Sequence, residues 1–181
     1  RIAAVTEKIV PIMAAFYIVG CVVILVMNYK TLPNAFTQIF VLAFNPQAMA
    51  GGVAGVTVQQ AMRFGVARGL FSNEAGMGST PHAHALAKVN HPREQGAVAI
   101  LGVFIDTFVV LTITALVMIT SGALNVTDMS ANPAAENMAQ VAFSTVFGSF
   151  GNFYVAICLL FFAFSTIIGW YFFGEQNVKY L

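Results

Sequence analysis

Long charge-free windows alternate with short charged segments along the chain. A transmembrane helix needs about 20 mostly apolar residues. Residues 9–27, 96–121 and 150–173 form three windows of about that length, and they contain one charged residue between them, Asp106. Pro11 falls in the opening turn of the first window, where its missing N–H costs nothing. The pattern therefore predicts three uninterrupted membrane crossings.

Residues 56–89 predict a fourth crossing, which one straight helix cannot make. The stretch is much longer than a single span, and its middle reads GLFSNEAGMGSTP. Gly69 can end a first half-helix in a left-handed conformation, while Thr80 followed by Pro81 is typical of the N-cap and first position of a second. We therefore expect a helix that is broken at 69–80 and whose second half ends near Lys88.

Upstream of the broken crossing, residues 34–44 predict a short helix that lies at the membrane surface or dips into it. The uncharged stretch around it is interrupted by Pro46 and by three glycines, Gly51, Gly52 and Gly55. Such residues end a helix or turn the chain, so a straight span does not fit. We expect them to turn the chain into the broken crossing.

The composition changes the class of protein that is possible. The chain is 59% hydrophobic and 8% charged, whereas about 25% of the residues of a soluble domain are charged. This excludes a disordered segment and a nucleic-acid binder that works through a basic patch. Cys21 and Cys158 lie in apolar windows, where a thiol most often fills space. The predicted fold class is all-α integral membrane, with the lipid bilayer as a partner and no nucleic acid.

Loop charges orient the four predicted crossings through the positive-inside rule. One side of the membrane receives Lys30 alone. The other side receives the remaining basic loop residues, Arg1, Lys8, Lys88, Arg93 and Lys179. The second side is therefore predicted to be cytoplasmic, together with the N-terminal end. Because the chain begins at Arg1 without the pattern of a signal peptide, we expect an internal piece of a larger multi-pass protein.

The broken stretch is the first candidate site. Unwound backbone at membrane depth is tolerated only where it is buried in protein or lines a wet cavity. Ser72, Asn73 and Glu74 add polar side chains to this stretch, and its glycines let the backbone approach a ligand. The start of the second half-helix presents N–H groups that suit a carboxylate. An ordinary re-entrant loop or a cytoplasmic connector is the alternative interpretation.

Apart from Lys88 at the end of the broken crossing, four charged residues fall within the predicted crossings, where charge is costly and marks a functional site by default. We expect Arg63 and Arg68 to form ion pairs with Glu74 or Asp106. Such pairs would give these charged residues a structural role. Asp106 is predicted to be either a ligand of a coupling cation or a structural partner, and the structural role is favoured. Thr107 and Thr114, on the same predicted helix, are typical of hydrogen bonds between helices.

The last window offers a second candidate site. Ser165 and Thr166 present adjacent hydroxyls, and Trp170 lies one turn beyond Thr166. Hydroxyl oxygens are hard ligands of the kind that sodium accepts, although small residues in a helix also serve packing, and Trp170 also fits an interfacial aromatic belt. The histidines lack zinc-site spacing, and no hydrolase or phosphate-binding motif occurs, so an enzyme is not predicted.

Three stretches, GLFSNEAGMGSTPHAHALAKVNHPREQG, GVFIDTFVVLTITALVMITSG and FSTIIGWYFFGE, resemble the alanine or glycine:cation symporter family, the sodium:alanine symporters. The resemblance implies a plasma-membrane transporter, in the inner membrane if bacterial. It would move a small neutral amino acid, alanine or glycine, inward with sodium as the coupling ion and without a cofactor. It also implies the inverted-repeat fold of leucine-type transporters. The four crossings would be the fifth to eighth core helices, and the remaining helices of the full-length transporter would be partners.

Carried over by motif, the resemblance assigns individual residues. The residues of the second broken helix that would face the substrate are Phe71, Ser72, Asn73, Gly76 and Gly78. Trp170 would lie near the substrate, while Ser165 and Thr166 would contribute hydroxyls to a sodium site. A pore-lining fragment of an ion channel and a membrane scaffold that does not transport are the alternatives from other functional classes.

Overall fold

The computed structural model describes residues 2–43, 54–74, 76–124 and 137–180, and within these ranges all regular secondary structure is helical. A π-helical segment, Ile105–Leu111, connects the fifth helix to the sixth. The α-helices in chain order are α1 Ile2–Met27, α2 Leu32–Ala43, α3 Ala54–Ser72, α4 Ser79–His84, α5 Pro92–Phe104, α6 Thr112–Thr120, α7 Met138–Phe147 and α8 Ser149–Tyr180.

Three stretches in the described ranges are helical, long and apolar enough to cross a membrane: Lys8–Met27, Pro92–Thr120 and Ser149–Lys179. They contain the three predicted uninterrupted windows almost entirely. Pro11 lies inside α1 and not in its first turn, since the helix already begins at Ile2. The prediction for that proline was therefore wrong. The last helix continues past its apolar part, where Glu175 and Lys179 form an i,i+4 ion pair at 2.6 Å.

The stretch predicted as a broken crossing is divided between α3 and α4. The expected boundaries are corrected at both ends. Gly69 lies inside α3, which continues to Ser72, and the next helix starts at Ser79 after Gly78 in a left-handed conformation. Thr80 is therefore a first-turn residue and not the N-cap, and the helix ends at His84 instead of near Lys88. The interruption is shorter than predicted because Gly69 keeps a helical backbone and the left-handed positions come later.

The short helix expected over 34–44 is observed as α2, Leu32–Ala43. A hydrogen bond from the Thr31 hydroxyl to the carbonyl of Asn28, 2.9 Å long, helps to close the turn that precedes it. Pro46, Gly51 and Gly52, which were expected to turn the chain into the next crossing, lie outside the described residues. Gly55, of which the same was expected, instead lies in the first turn of α3.

A packed core forms where α1, α6, α7 and α8 meet. Its buried side chains include Ile24, Val117, Phe143 and Tyr154, together with both cysteines. Tyr154 stacks on Phe16, with ring centroids 4.2 Å apart, and its hydroxyl donates a hydrogen bond to the Phe16 carbonyl. The core thus joins the first and last long helices and leaves the segment around the helix break to one side.

Two glycines permit the closest approaches in this core. A Cβ atom added at Gly151 would lie 2.5 Å from the backbone carbonyl of Phe143, and one added at Gly20 would lie 2.7 Å from the Tyr154 ring. Small residues at such positions are the usual means by which membrane helices pack closely. The hairpin of α7 and α8 and the contact of α1 with α8 therefore depend on the absence of these side chains.

Candidate functional site

Among the described residues between α3 and α4, three have positive φ angles: Glu74 at 51°, Gly76 at 79° and Gly78 at 81°. Glycine adopts this conformation readily. For a residue with a side chain it costs about 1–2 kcal/mol. Glu74 is the one non-glycine residue with positive φ in the described ranges. The structure around this glutamate must therefore stabilise the conformation.

The Glu74 carboxylate supplies that stabilisation by reaching across the break. Its Oε2 atom accepts hydrogen bonds from Ser79 Oγ at 2.9 Å and from Thr80 Oγ1 at 2.8 Å. Both donors lie in the first turn of α4, and Ser79 is buried. A carboxylate at this end of a helix is also favoured by the helix dipole. Glu74 therefore holds the start of α4 at a fixed place relative to the end of α3.

Two side-chain hydrogen bonds tie the end of α3 to the π-helical segment. Ser72 Oγ donates to Asp106 Oδ2 at 2.7 Å, and Thr107 Oγ1 donates to Asn73 Oδ1 at 2.8 Å. The Asn73 amide is oriented by its second bond, in which Nδ2 donates to the Gly69 carbonyl at 3.0 Å. We call these two contacts, Ser72–Asp106 and Asn73–Thr107, the paired clasp. Asp106 and Thr107 thus form hydrogen bonds with residues at the end of α3.

The π-helical segment itself was not anticipated from the sequence. Segments of this kind are rare in proteins and occur frequently at functional sites. The signal available in the sequence was the polar pair Asp106–Thr107 inside an apolar window. Such a pair does not distinguish a π-helix from an α-helix. The segment begins at Ile105, so Asp106 and Thr107, which belong to the paired clasp, both lie on it.

An open cleft of about 450 Å³ lies beside the paired clasp. It combines apolar walls with a few convergent polar groups, which is the usual character of a small-molecule site. Its polar lining consists of Ser72, Asn73, Glu74, Thr80, His84 and Asp106. The structure therefore gathers Ser72 and Asn73, two of the predicted substrate residues, with both predicted intramembrane carboxylates.

The other predicted residues of the broken stretch do not line this cleft. The side chain of Phe71 is 59% exposed, and Gly76 and Gly78 are also exposed. Nothing lies within 4 Å of a Cβ atom built at either glycine. The structure requires glycine at these two positions because of their positive φ angles. No other described part of the chain approaches them closely.

The predicted pairing of the two arginines is not present among the described residues. Arg63 and Arg68 are exposed on α3, and neither forms an ion pair with Glu74 or Asp106. Both carboxylates instead accept hydrogen bonds from hydroxyl groups of nearby residues. The expectation failed because both arginines point away from the chain on the exposed surface of α3, beyond ion-pair distance of either carboxylate.

The candidate residues on α8 lie away from the cleft. Ser165 Oγ and Thr166 Oγ1 both donate to the Phe162 carbonyl of their own helix, at 3.0 Å and 2.8 Å. A hydroxyl that donates in this way keeps its lone pairs for a cation. Trp170 is 47% exposed and packs edge-on against Phe173, which does line the cleft. Trp170 therefore reaches the edge of the cleft through that aromatic contact, whereas Ser165 and Thr166 are not among its lining residues.

The histidines take part in helix ends and contacts between elements. His91 is the N-cap of α5, and its Nδ1 accepts a hydrogen bond from the Arg93 backbone N–H at 3.2 Å. The His84 Nδ1 lies 2.6 Å from the Gln95 amide. Within the described ranges, no three histidine, cysteine or acidic side chains lie close enough together to hold a metal ion.

Comparison with known proteins identifies the family. The profile of the sodium:alanine symporter family matches residues 1–181. The sodium/alanine symporter AgcS of Methanococcus maripaludis is 42% identical over 97% of the chain. The sodium/proton-dependent alanine carrier protein of Bacillus sp. strain PS3 is 37% identical, and an uncharacterized transporter of Haemophilus influenzae is 42% identical, each over 100% of the chain.

The chain spans a minor part of the length of these relatives: 38% of the Methanococcus protein, 42% of the Bacillus protein and 39% of the Haemophilus protein. The match nevertheless extends along the whole chain and includes the helix break, the π-helical segment and α8. The three long apolar helices in the described ranges fit a part of a membrane protein. The chain belongs to the sodium:alanine symporter family.

Proposed function

We propose that the full-length protein containing this chain is a sodium-coupled symporter of a small neutral amino acid, alanine or glycine. It would act in the plasma membrane, with the N-terminal end of this chain on the cytoplasmic side. The family match supports this, as do relatives whose names specify sodium and alanine. The arrangement of the basic loop residues supports the orientation.

The observation that carries the proposal is the helix break beside a polar cleft. Half-helices that meet at an interruption are how many secondary transporters build substrate and ion sites. Here the interruption lies between Ser72 and Ser79, and the cleft is lined by Ser72, Asn73 and two carboxylates. We propose that the substrate binds against this segment, with Phe71, Ser72, Asn73, Gly76 and Gly78 facing it.

The remaining helices of the transporter would complete the site. We propose that the chain supplies the fifth to eighth core helices of an inverted-repeat fold of the leucine-transporter type. In that arrangement the exposed Phe71, Gly76 and Gly78 would face helices that this chain does not contain. Trp170 would then contact the substrate, and Ser165 and Thr166 would share sodium with a partner helix through their free lone pairs.

Coupling requires that sodium bind one conformational state more tightly than another. We propose that sodium held by Thr166 stabilises the state that accepts the amino acid, and that occupancy of the cleft then permits the change of state. A site pressed against the interrupted backbone leaves room for a small side chain. A single added methylene changes discrimination by about 1–3 kcal/mol, so larger amino acids would be transported poorly.

Uptake by the full-length transporter in proteoliposomes tests the proposal. With an inward sodium gradient, labelled alanine or glycine should accumulate, and uptake should saturate. Collapse of the gradient should abolish accumulation, and unlabelled leucine should compete weakly. A substrate flux that does not saturate, with a conductance far above carrier turnover, would instead indicate a pore. The absence of any flux in correctly inserted protein would indicate a scaffold.

A further inference from the structure

His82 connects the short helix after the break to the end of the last helix. Its Nδ1 atom lies 2.7 Å from the Gly78 carbonyl oxygen, and its Nε2 atom lies 3.1 Å from Asn177 Oδ1 on α8. The imidazole ring also packs near Phe173, with ring centroids 6.1 Å apart. Contacts between α4 and α8 therefore centre on one side chain that can change its charge.

The orientation of the Asn177 amide is fixed by its other contact. Asn177 Nδ2 donates to the Phe173 carbonyl at 3.0 Å, so Oδ1 is the atom that faces the histidine. If the amide were turned over, its oxygen would face that carbonyl, and two acceptors would meet. The partner of His82 Nε2 is therefore an acceptor, as is the partner of Nδ1.

A neutral imidazole cannot satisfy both partners. It carries one N–H and one lone pair, whereas an imidazolium donates through both nitrogens. In the neutral form, one of the two contacts places a lone pair against an oxygen. We propose that His82 is a positioning residue whose protonated form holds α4 against α8, and whose deprotonation releases the contact. Gly78, His82 and Asn177 form this structure, which we call the histidine latch.

Five ionisable side chains of the described neighbouring elements are engaged with other partners. On α8, Glu175 and Lys179 pair with each other, and each is two residues from Asn177, which places them on the opposite side of the helix.

The Glu74 carboxylate is occupied by Ser79 and Thr80. His84 meets Gln95 of α5, and Asp106 accepts from Ser72. His82 forms no ion pair within the described ranges. Its own protonation is therefore the charge change that acts on the contact.

The consequence for transport rests on the proposed function. Thr80, near the start of α4, lines the cleft, so a latch on this helix restrains one wall of the site. Histidine is the side chain that ordinarily changes charge between about pH 8 and pH 5. Acidification should therefore increase the fraction of the protein in which α4 is held against α8. Transport should then slow, because α4 must move during the transport cycle.

The test measures the position of α4 directly in the full-length transporter. Spin labels are attached to Ala85→Cys and Val178→Cys, both exposed positions, in a background where the buried Cys21 and Cys158 are replaced by alanine. On going from about pH 8 to about pH 5.5, the short-distance population should rise about threefold. His82→Gln, which does not titrate, should make the distances independent of pH.

Two further variants keep the test decisive. Asn177→Leu removes the acceptor on α8 and should also abolish the pH dependence, even if His82→Gln disturbs the fold. His91→Asn removes a different imidazole but preserves an N-cap side chain, and it should behave like the wild type. Distances that are independent of pH in the wild type, or still dependent on pH in both His82→Gln and Asn177→Leu, would overturn the latch.

Uptake measured in parallel separates the latch from the proposed function. The quantity to compare is the ratio of the uptake rate at about pH 7.5 to the rate at about pH 5.5. This ratio should be roughly threefold larger in the wild type and in His91→Asn than in His82→Gln. A pH-dependent distance without sodium-driven uptake would leave the latch intact and contradict symport. Sodium-driven uptake with distances that ignore pH would contradict the latch alone.

Discussion

In the core, Gly151 lets α8 lie against the backbone of α7, and Tyr154 fills the space between α1 and α8. Beside the break, the contacts are of another kind. Hydroxyl groups meet carboxylate and amide oxygens through the paired clasp and through Glu74. Close side-chain packing stabilises the core, whereas a few directional hydrogen bonds stabilise the cleft.

This difference has a consequence for motion. Close-packed interiors tolerate changes of volume poorly, so the core should behave as a rigid unit. A hydrogen bond in a partly solvated cleft contributes a net amount of about 0.5–1.5 kcal/mol and can exchange with water. The segment that contacts the substrate in our proposal is therefore fastened by interactions that a transport cycle can break. Substitutions in the core should affect folding, and those in the cleft should affect transport.

Gly151→Val should have the largest effect and should act on the fold. The new side chain would begin 2.5 Å from the Phe143 carbonyl, so α7 and α8 would have to separate. Overpacking against side chains costs about 1–3 kcal/mol, and a clash with backbone relaxes less easily. Most of the folded protein should be lost when it is assayed by size-exclusion chromatography and thermal melting. Gly174→Val, at a position with open space on the same helix, is the matched control.

Asp106→Ala should have the next largest effect and should act on transport. It removes the acceptor of Ser72 and half of the paired clasp. Because the clasp positions Ser72 and Asn73 at the proposed substrate site, uptake should fall roughly ten- to hundredfold. The exposed hydrogen bond contributes little to folding, so thermal stability should change little. Asp106→Asn keeps an oxygen acceptor for Ser72 and should retain most of the activity. Equal loss in both variants would assign the role to the charge and not to the clasp.

The core and the cleft also differ in how far the sequence reveals them. The three long helices follow from charge-free windows, because the bilayer requires about 20 apolar residues whatever the fold. The helix break was predicted from its glycines and from the GLFSNEAGMGSTP pattern, but its ends were misplaced. Gly69 and Gly78 are the same residue type, and only the surrounding contacts decide which one adopts positive φ.

The contacts within the site were less predictable than the helices. Pairing of Arg63 or Arg68 with a carboxylate was a reasonable expectation from charge alone. The structure instead pairs Glu74 with Ser79 and Thr80, which are only five and six residues away along the chain. The clasp joins residues that are 34 positions apart. Its geometry depends on where the end of α3 lies relative to the π-helical segment, and no local pattern in the sequence indicates that placement.

Substitutions of Gly76 sharpen the comparison, because they separate conformation from space. The residue has φ at 79° and no atom within 4 Å of an added Cβ. If conformation is decisive, Gly76→Ala should lower uptake about tenfold, since a left-handed alanine costs about 1–2 kcal/mol. Gly76→Asn should then retain more activity than alanine, because asparagine tolerates this conformation better.

A close approach of the substrate or of a missing helix would reverse that order, with the larger asparagine more harmful than alanine. Uptake rates at saturating sodium, corrected for the amount of inserted protein, measure the two variants. Gly65→Ala, at a helical position with open space, should be neutral in the same assay and controls for the added methyl group.

Thr166→Ala should have the smallest effect and should appear only in the sodium dependence. The hydroxyl donates to the Phe162 carbonyl, so its loss leaves an apolar methyl group on an exposed helix face and should scarcely affect folding. If Thr166 is one of several oxygen ligands, its removal should raise the sodium concentration for half-maximal uptake roughly three- to tenfold, while the maximal rate changes little.

Thr166→Ser retains the oxygen and should restore the sodium dependence. Thr145→Ala provides the matched control, since Thr145 Oγ1 makes a similar hydrogen bond to a carbonyl of its own helix, at 2.7 Å, but on α7. A shift that also appears in this control would reflect helix structure and not sodium binding. A sodium dependence that is unchanged in Thr166→Ala would remove this residue from the site. The hydroxyl would then serve α8 alone, and the cleft would have to obtain its sodium ligands from the break and from the helices that complete the transporter.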